Sequence, residues 1–162
     1  MEFEHIEEIE AVKIASLIEK NGFSFYTSLS KRAEDKAIKD ILIKLAADEK
    51  KHINLLEKKF YSKAGLGEQI TEEELDVEDY VEKNIHPAMF TKNVDMNRII
   101  NAIGSIKKAI ILAINVEKQA GDFFDVMAKK AETEKGRTMY KMLADEERGH
   151  QRQLENILKD MK

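Results

Sequence analysis

The sequence predicts an all-α protein, a four-helix bundle of two repeated helical hairpins joined by a long crossover that contains short helices. Three observations predict this fold. Charged residues make up 36% of the 162 residues, with one proline and seven glycines, a composition typical of long amphipathic helices. Apolar residues recur at helical spacing along four segments. Residues 18–57 also align without a gap with residues 116–155, with twelve identities in forty positions.

Composition excludes several classes of protein. The chain has no cysteine, which excludes disulfides, thiolate zinc sites and iron–sulfur clusters formed by its own residues. A net charge of −4 and a pI near 5.7 give no reason to expect nucleic acid or an anionic membrane as partner. No apolar segment approaches the roughly 20 residues of a membrane span, and we see no signal peptide. We therefore expect a cytoplasmic protein with one domain over residues 1–162.

The first hairpin is predicted over about residues 3–63. Its first helix extends to about Ala33, and Asp35 is a suitable N-cap for the second helix. The apolar face of each helix is interrupted by polar residues, Glu19 on the first helix and Glu49 with His52 on the second. These three side chains are therefore expected to point toward the core.

The crossover is predicted over about residues 64–104 and differs in character from the hairpins. Thr71 and Glu74 form a capping-box pattern that predicts a short acidic helix ending near residue 84. Asp95 is a candidate cap for another short helix, which Gly104 would end or kink. Such a connection is typical of a crossover that runs the length of a bundle.

The second hairpin, over about residues 105–161, repeats the features of the first. Thr133 occupies the repeat position of Asp35 and is also a cap residue. Glu117, Glu147 and His150 lie on the apolar faces, each 98 residues after its counterpart in the first hairpin. The pattern Glu-x-x-His is common by chance, and Glu2 with His5 also matches it. The constant offset makes the two internal copies significant.

The spacing brings these six residues to one level. Glu19 and Glu49 are centred on the predicted turn at residue 34, so each lies roughly 22 Å from the bend along its helix at 1.5 Å per residue. Glu117 and Glu147 are centred on residue 132 in the same way. A Glu and a His three residues apart share one helix face. Packing the hairpins face to face would therefore gather four carboxylates and two imidazoles.

This gathering predicts a metal site. A single glutamate of this kind would most simply lie on a solvated face. Four glutamates and two histidines in register across a repeat would instead place several carboxylates in the core. Buried carboxylates are costly unless they are paired, protonated or bound to a cation. Two divalent metals would balance four carboxylates, and oxygen with imidazole ligands suits iron or manganese. The predicted metal ligands are Glu19, Glu49, His52, Glu117, Glu147 and His150.

Two neighbouring residues leave alternatives open. Glu146 is four residues before His150 and could exchange places with Glu147, although the repeat aligns Glu49 with Glu147. Tyr26 lies on the same face as the predicted ligands and has Phe124 at its repeat position. It would either hydrogen-bond a ligating carboxylate or pack in the core.

The stretch Val-Glu-Lys-Gln-Ala-Gly-Asp-Phe-Phe from Val116, its counterpart from Ile18 and the two Glu-x-x-His motifs resemble the ferritin-like superfamily, and within it the rubrerythrin branch. The resemblance covers the four helices. It implies a di-iron centre with Glu19 and Glu117 as terminal ligands. It further implies that the other two glutamates bridge the metals and that each histidine binds one metal.

This chain departs from rubrerythrins in two ways. Rubrerythrins have a further glutamate one turn after the third-helix ligand, where this chain has Ala120, so the site would be a symmetric set of six ligands. Rubrerythrins also carry a rubredoxin domain, which a chain without cysteine lacks. The second departure implies a separate electron-donor protein.

The expected function is that of an oxidoreductase in which two iron ions, with manganese as the alternative metal, react with peroxide or O2. Two other functions remain compatible with the same residues. One is iron oxidation for storage, which needs a hollow cage, and the other is a non-catalytic metal-binding scaffold or sensor. A homodimer is compatible with the sequence.

Overall fold

Residues 8–57, 90 and 94–161 are described in the computed structural model. These residues form five α-helices and no β-strand, which confirms the predicted all-α fold. The helices are α1 (Glu8–Arg32), α2 (Lys36–Leu56), α3 (Met96–Ile103), α4 (Ile106–Lys130) and α5 (Glu134–Asp160). Four predicted features lie outside the described residues: the start of the first helix near residue 3, the end of the second near residue 63, the acidic helix after Thr71, and the pair Glu2 and His5.

Local side-chain chemistry sets where the helices begin and end. The predicted N-caps are confirmed, because a side-chain oxygen at each accepts a hydrogen bond from a backbone N–H in the first turn: Asp35, Asp95 and Thr133. Ser105 caps α4 in the same manner. Gly104 ends α3 with a φ of 71°, a left-handed conformation that glycine adopts without steric cost.

The helices pack as two hairpins. Contacts are most extensive between α1 and α2 and between α4 and α5, while α1 with α4 and α2 with α5 join the hairpins. Asp48 faces His150 and His52 faces Glu146, so residue numbers rise along α2 as they fall along α5. The helices α2 and α5 are therefore antiparallel, as expected for two hairpins related by an approximate two-fold axis.

The apolar core consists of two clusters. One surrounds the turn of the first hairpin and includes Phe25, Leu29, Leu42, Leu45, Ile110, Ala113, Leu154 and Ile157. The other surrounds the turn of the second hairpin and includes Ala11, Ala15, Leu56, Phe123, Phe124, Met127, Met139 and Leu143. Each of the four long helices contributes to both clusters. Burial of one large apolar side chain stabilises the folded state by about 1.5–3 kcal/mol. Because a shift of one helix along another would expose several such side chains, the clusters hold the helices in register.

The two helices that flank the connection contact different clusters. Leu56, at the end of α2, belongs to the cluster at the turn of the second hairpin, whereas α3 packs into the other cluster. The end of α2 and the start of α3 therefore lie at opposite ends of the bundle. Asn21 of α1 donates a hydrogen bond to the carbonyl of Phe90 at 2.7 Å, which ties that part of the connection to the bundle.

A basic side chain crosses from one helix to the other at equivalent positions of the two hairpins. Lys50 Nζ lies 5.3 Å from the ring centroid of Phe23. Its repeat counterpart Arg148 lies over Gly121, where an added Cβ would be only 2.9 Å from the guanidinium. The absence of a side chain at residue 121 allows this approach. Arg148 there pairs with two aspartates of α4, Asp122 and Asp125.

Among the described residues, no helix combines the length and the hydropathy that crossing a membrane would require.

The cap of α2 gives a test of local helix stability. Asp35→Ala removes the acceptor for Ile38 N–H, and we expect it to lower the free energy of unfolding of the metal-free protein by about 1 kcal/mol. Urea denaturation followed by circular dichroism measures this loss. Asp40→Ala, an exposed position in the same helix, is the control and is expected to change stability by less than about 0.5 kcal/mol. Equal losses in the two variants would contradict the capping interpretation.

Candidate metal centre

The structure brings all six predicted metal ligands together between the two apolar clusters. Each is at most 3% exposed, so the group is shielded from solvent. The six are supplied by the four long helices: Glu19 from α1, Glu49 and His52 from α2, Glu117 from α4, and Glu147 and His150 from α5. One level of the core therefore carries four carboxyl groups and two imidazoles.

One half of the site is built around His52. Its Nδ1 lies 3.1 Å from Glu19 Oε2 and 3.2 Å from Glu147 Oε1, and Glu49 Oε2 is 4.0 Å away. These four residues each offer one ligand atom, and the four atoms lie within 4.8 Å of one another. That spacing is suited to a single cation at their centre.

The other half is built around His150 and repeats this arrangement. Its Nδ1 lies 2.9 Å from Glu49 Oε1, 3.5 Å from Glu117 Oε1 and 3.6 Å from Glu147 Oε2. The ligand atoms of this group also lie within 4.8 Å of one another. Glu49 and Glu147 belong to both groups, so the two positions share two carboxylates. This is the arrangement of a dinuclear site.

Several atoms that point into the centre have no hydrogen-bond partner among the described residues. They are Glu19 Oε1, Glu49 Oε1, Glu117 Oε2, Glu147 Oε1 and His150 Nδ1. Some of these atoms are close to one another but are not aligned for a hydrogen bond. A buried polar atom without a partner costs about 1–3 kcal/mol. The site is therefore chemically incomplete without a further binding partner, and its donor atoms suit cations.

Burial and mutual repulsion disturb the ionisation of the carboxyl groups. Burial, together with the charge of Glu147, raises the pKa of Glu19, Glu49 and Glu117 well above the usual range. Glu147 behaves differently. Burial alone would raise its pKa, but the close approach of Glu117 and of both histidines outweighs burial and holds the pKa of Glu147 well below the usual range. Without metal, three of the four carboxyl groups therefore favour their protonated forms more than exposed glutamates do.

The two histidines also favour their protonated forms. Burial lowers the pKa of His52, but the close approach of Glu147 and the charges of Glu49 and Glu147 raise it from 6.5 to about 9. His150 is affected by the same opposing factors, and the nearby carboxylates of Glu117 and Glu147 raise its pKa well above the usual range. Protons thus supply part of the positive charge that the buried carboxylates require.

The outer ring nitrogens of the histidines contact acidic residues that sequence reasoning did not assign. His52 Nε2 contacts the Glu146 carboxylate, and His150 Nε2 lies 3.2 Å from Asp48 Oδ2. Glu146 is 49% exposed and belongs to neither group of ligand atoms, whereas Glu147 belongs to both. The signal available in the sequence was the alignment of Asp48 with Glu146, each directly before a glutamate of the site.

Tyr26 combines the two alternatives considered for it. Its ring is buried in the apolar cluster and makes an edge contact with Phe25 at 5.7 Å, while its hydroxyl donates a hydrogen bond to Glu117 Oε1. Burial and the charge of Glu117 raise the pKa of Tyr26. At the repeat position, Phe124 stacks on Tyr140 at 6.2 Å and has no hydroxyl. The two halves of the centre therefore differ at this point.

Small residues occupy equivalent positions one turn after the glutamates of α1 and α4. They are Gly22 and Ala120, and both are buried. A Cβ added at Gly22 would lie 3.2 Å from Glu49 Oε2, so glycine leaves room for this carboxylate. Ala120 supplies no seventh ligand. Both acid-rich groups found among the described residues are made from the same six side chains.

Comparison with known proteins agrees with this geometry. The chain matches the rubrerythrin family model over residues 10–158. A solved structure of a hypothetical protein from Pyrococcus furiosus is similar, with a TM-score of 0.74 and 25% identity over 95% of this chain and 89% of that chain. No curated protein matched the sequence. The family match covers nearly the whole chain and includes all four long helices, and the protein therefore belongs to the rubrerythrin family.

Proposed function

We propose that the protein binds two iron ions in the bundle core and acts as an oxidoreductase that reduces peroxide or O2 with electrons from a separate donor protein. The observation that carries the proposal is the pair of buried Glu/His groups that share Glu49 and Glu147. Membership of the rubrerythrin family supports the same type of site.

The residues present fit two divalent cations. Four carboxylates would balance the charge of two such ions, and the unpartnered oxygens would become ligands. Carboxylate and imidazole ligands suit iron, with manganese as the alternative, and the chain has no thiolate to favour zinc or copper. In this proposal Glu19 and Glu117 are terminal ligands, Glu49 and Glu147 bridge the metals, and each histidine binds one metal.

The chain and the bound metals would have different functions in the reaction. When bound, two ferrous ions would supply the two electrons that, with two protons taken up from solvent, reduce one peroxide to two water molecules. The surrounding apolar clusters exclude bulk water from the centre, and Tyr26 holds Glu117 through its hydroxyl. In this proposal a separate donor protein supplies the electrons that restore the ferrous state.

A second candidate function is a non-catalytic metal-binding scaffold. The same unpartnered buried atoms favour it, since a cation that satisfies them would stabilise the folded state whether or not it reacts. The two candidates agree on the metal site and differ only in turnover. Metal content and peroxide consumption therefore have to be measured separately.

Metal content tests the site itself. After expression with ample iron, we expect about two iron ions per chain, and fewer than about one in Glu147→Ala, because this residue belongs to both groups. Elemental analysis of purified protein measures the ratio. The control is Asp145→Ala, an exposed acidic position on the same helix, which is expected to retain the wild-type content. Wild-type protein with less than about one metal per chain would exclude the dinuclear site.

Peroxide consumption distinguishes the oxidoreductase from the scaffold. With a chemical reductant present, we expect iron-loaded protein to consume peroxide over many turnovers and the chelated protein to be inactive. The spectroscopic disappearance of peroxide gives the rate, and free iron at the same concentration is the control. If chelation lowers the melting temperature but the iron-loaded protein reacts no faster than free iron, the scaffold function would be supported instead.

The pKa shifts predict how metal binding depends on pH. A metal must displace protons held by His52, whose pKa is raised to about 9, and by carboxyl groups whose pKa is raised by burial. Between about pH 6 and about pH 8, the rise in melting temperature caused by Mn²⁺ should therefore increase.

The metal-free protein should show the opposite trend. The raised pKa of His52 contributes to the stability of the folded state. This contribution is fully present below pH 6.5 and is lost as the pH rises through about 9. The carboxyl groups with raised pKa also favour the folded state only while protonated, so their contribution has the same sign. Melting curves recorded with and without Mn²⁺ between about pH 6 and about pH 9 measure both trends. A metal-free protein that becomes more stable toward pH 9 would contradict the assigned shifts.

A further inference from the structure

The ring nitrogens of each buried histidine face in two different directions. Nδ1 faces the centre, where it lies 3.1 Å from Glu19 in the case of His52 and 2.9 Å from Glu49 in the case of His150. Nε2 faces away from the centre and meets an acidic side chain. A neutral imidazole carries one proton, so the acidic partner of one nitrogen decides whether the other can bind a metal.

We propose that Asp48 and Glu146 are positioning residues, each of which holds the metal-binding histidine of the opposite hairpin with Nε2 protonated and Nδ1 free for the metal. A carboxylate that accepts the N–H of a ligating histidine fixes the tautomer and the ring orientation and increases the basicity of the other nitrogen. The inference rests on the dinuclear metal site proposed above.

The contacts run across the hairpin interface and not along one helix. Asp48 precedes His52 by four residues in α2, yet it contacts His150 of α5, and Glu146 of α5 contacts His52 of α2. The two imidazole rings are stacked, with centroids 5.9 Å apart and planes 19° from parallel. Because α2 and α5 are antiparallel, the outer edge of each ring reaches the acidic residue of the other helix.

The two acidic residues are held differently. Asp48 Oδ2 also accepts a hydrogen bond from Lys44 Nζ at 2.9 Å, so the oxygen that meets His150 is fixed from two sides. Glu146 is half-exposed and lines an open surface groove with four other residues of α5: Thr138, Lys141, Met142 and Asp145. Both acidic side chains are nearer to solvent than the histidines, so each can be replaced without opening a large cavity in the core.

Co²⁺ titration of the metal-free protein tests the proposal without any measurement of activity. Wild type is expected to bind two Co²⁺ per chain, and Glu146→Ala or Asp48→Ala should weaken one of the two by about 10- to 100-fold. The matched controls are Asp145→Ala on α5 and Asp40→Ala on α2, both exposed and outside the centre. Each control should bind both ions within about threefold of wild type.

Double variants identify which position each acidic residue serves. In a His52→Gln background, Asp48→Ala should still weaken the remaining Co²⁺ position, whereas Glu146→Ala should have little additional effect. In a His150→Gln background the pattern should reverse. If each acidic residue instead affects the position of the histidine in its own hairpin, the crossed assignment is wrong.

Conservative variants separate positioning from folding. Glu146→Asp keeps a carboxylate and should restore part of the lost affinity, while Glu146→Gln keeps an acceptor without its charge and should lie between wild type and alanine. Helical content by circular dichroism verifies that each variant is folded. If wild type binds two Co²⁺ and both alanine variants bind two with the wild-type affinity, the positioning proposal is wrong while the proposed metal site stands. If folded wild type binds fewer than two, the proposed metal site fails as well.

Discussion

The structure depends on four glutamates that are buried at one level of a helical bundle. Their mutual repulsion and loss of hydration oppose folding, and protons or cations have to compensate for both. The two apolar clusters on either side supply the stability that keeps the carboxylates together. This division explains why the ligands need not stabilise the bundle themselves. The clusters hold the carboxylates in place, and the carboxylates, held close together, attract positive charge.

Most of this arrangement could be predicted from the sequence because it follows from periodicity. Helical spacing places Glu49 and His52 on the apolar face of α2, and the repeat places their counterparts on α5. The turn positions then set Glu19 and Glu49 at equal heights. Caps such as Asp35 and Thr133 were also predictable, because an N-cap depends only on residues within one helical turn. Patterns that depend on short sequence distances are visible without coordinates.

Contacts between helices were harder to predict. The alignment of Asp48 with Glu146 was visible, but the partner of each depends on how α2 and α5 cross, which periodicity does not specify. The hydrogen bond from Tyr26 to Glu117 joins residues 91 apart in sequence, and an aromatic residue on an apolar face equally fits plain packing. The need for glycine at residue 121 likewise arises only from the close approach of Arg148 in the folded protein. Each of these features is a matter of side-chain direction across an interface.

The contact of each histidine with an acidic residue of the other hairpin has a consequence for the symmetry of the fold. One hairpin contains two glutamates and a histidine, but the acidic residue that meets that histidine belongs to the other hairpin. Two copies of a single hairpin, related by the same two-fold axis, would satisfy all of these contacts. The arrangement is thus equivalent to a symmetric dimer of hairpins contained within one chain. The two halves differ at positions such as Tyr26 and Phe124, where only one half has the hydroxyl.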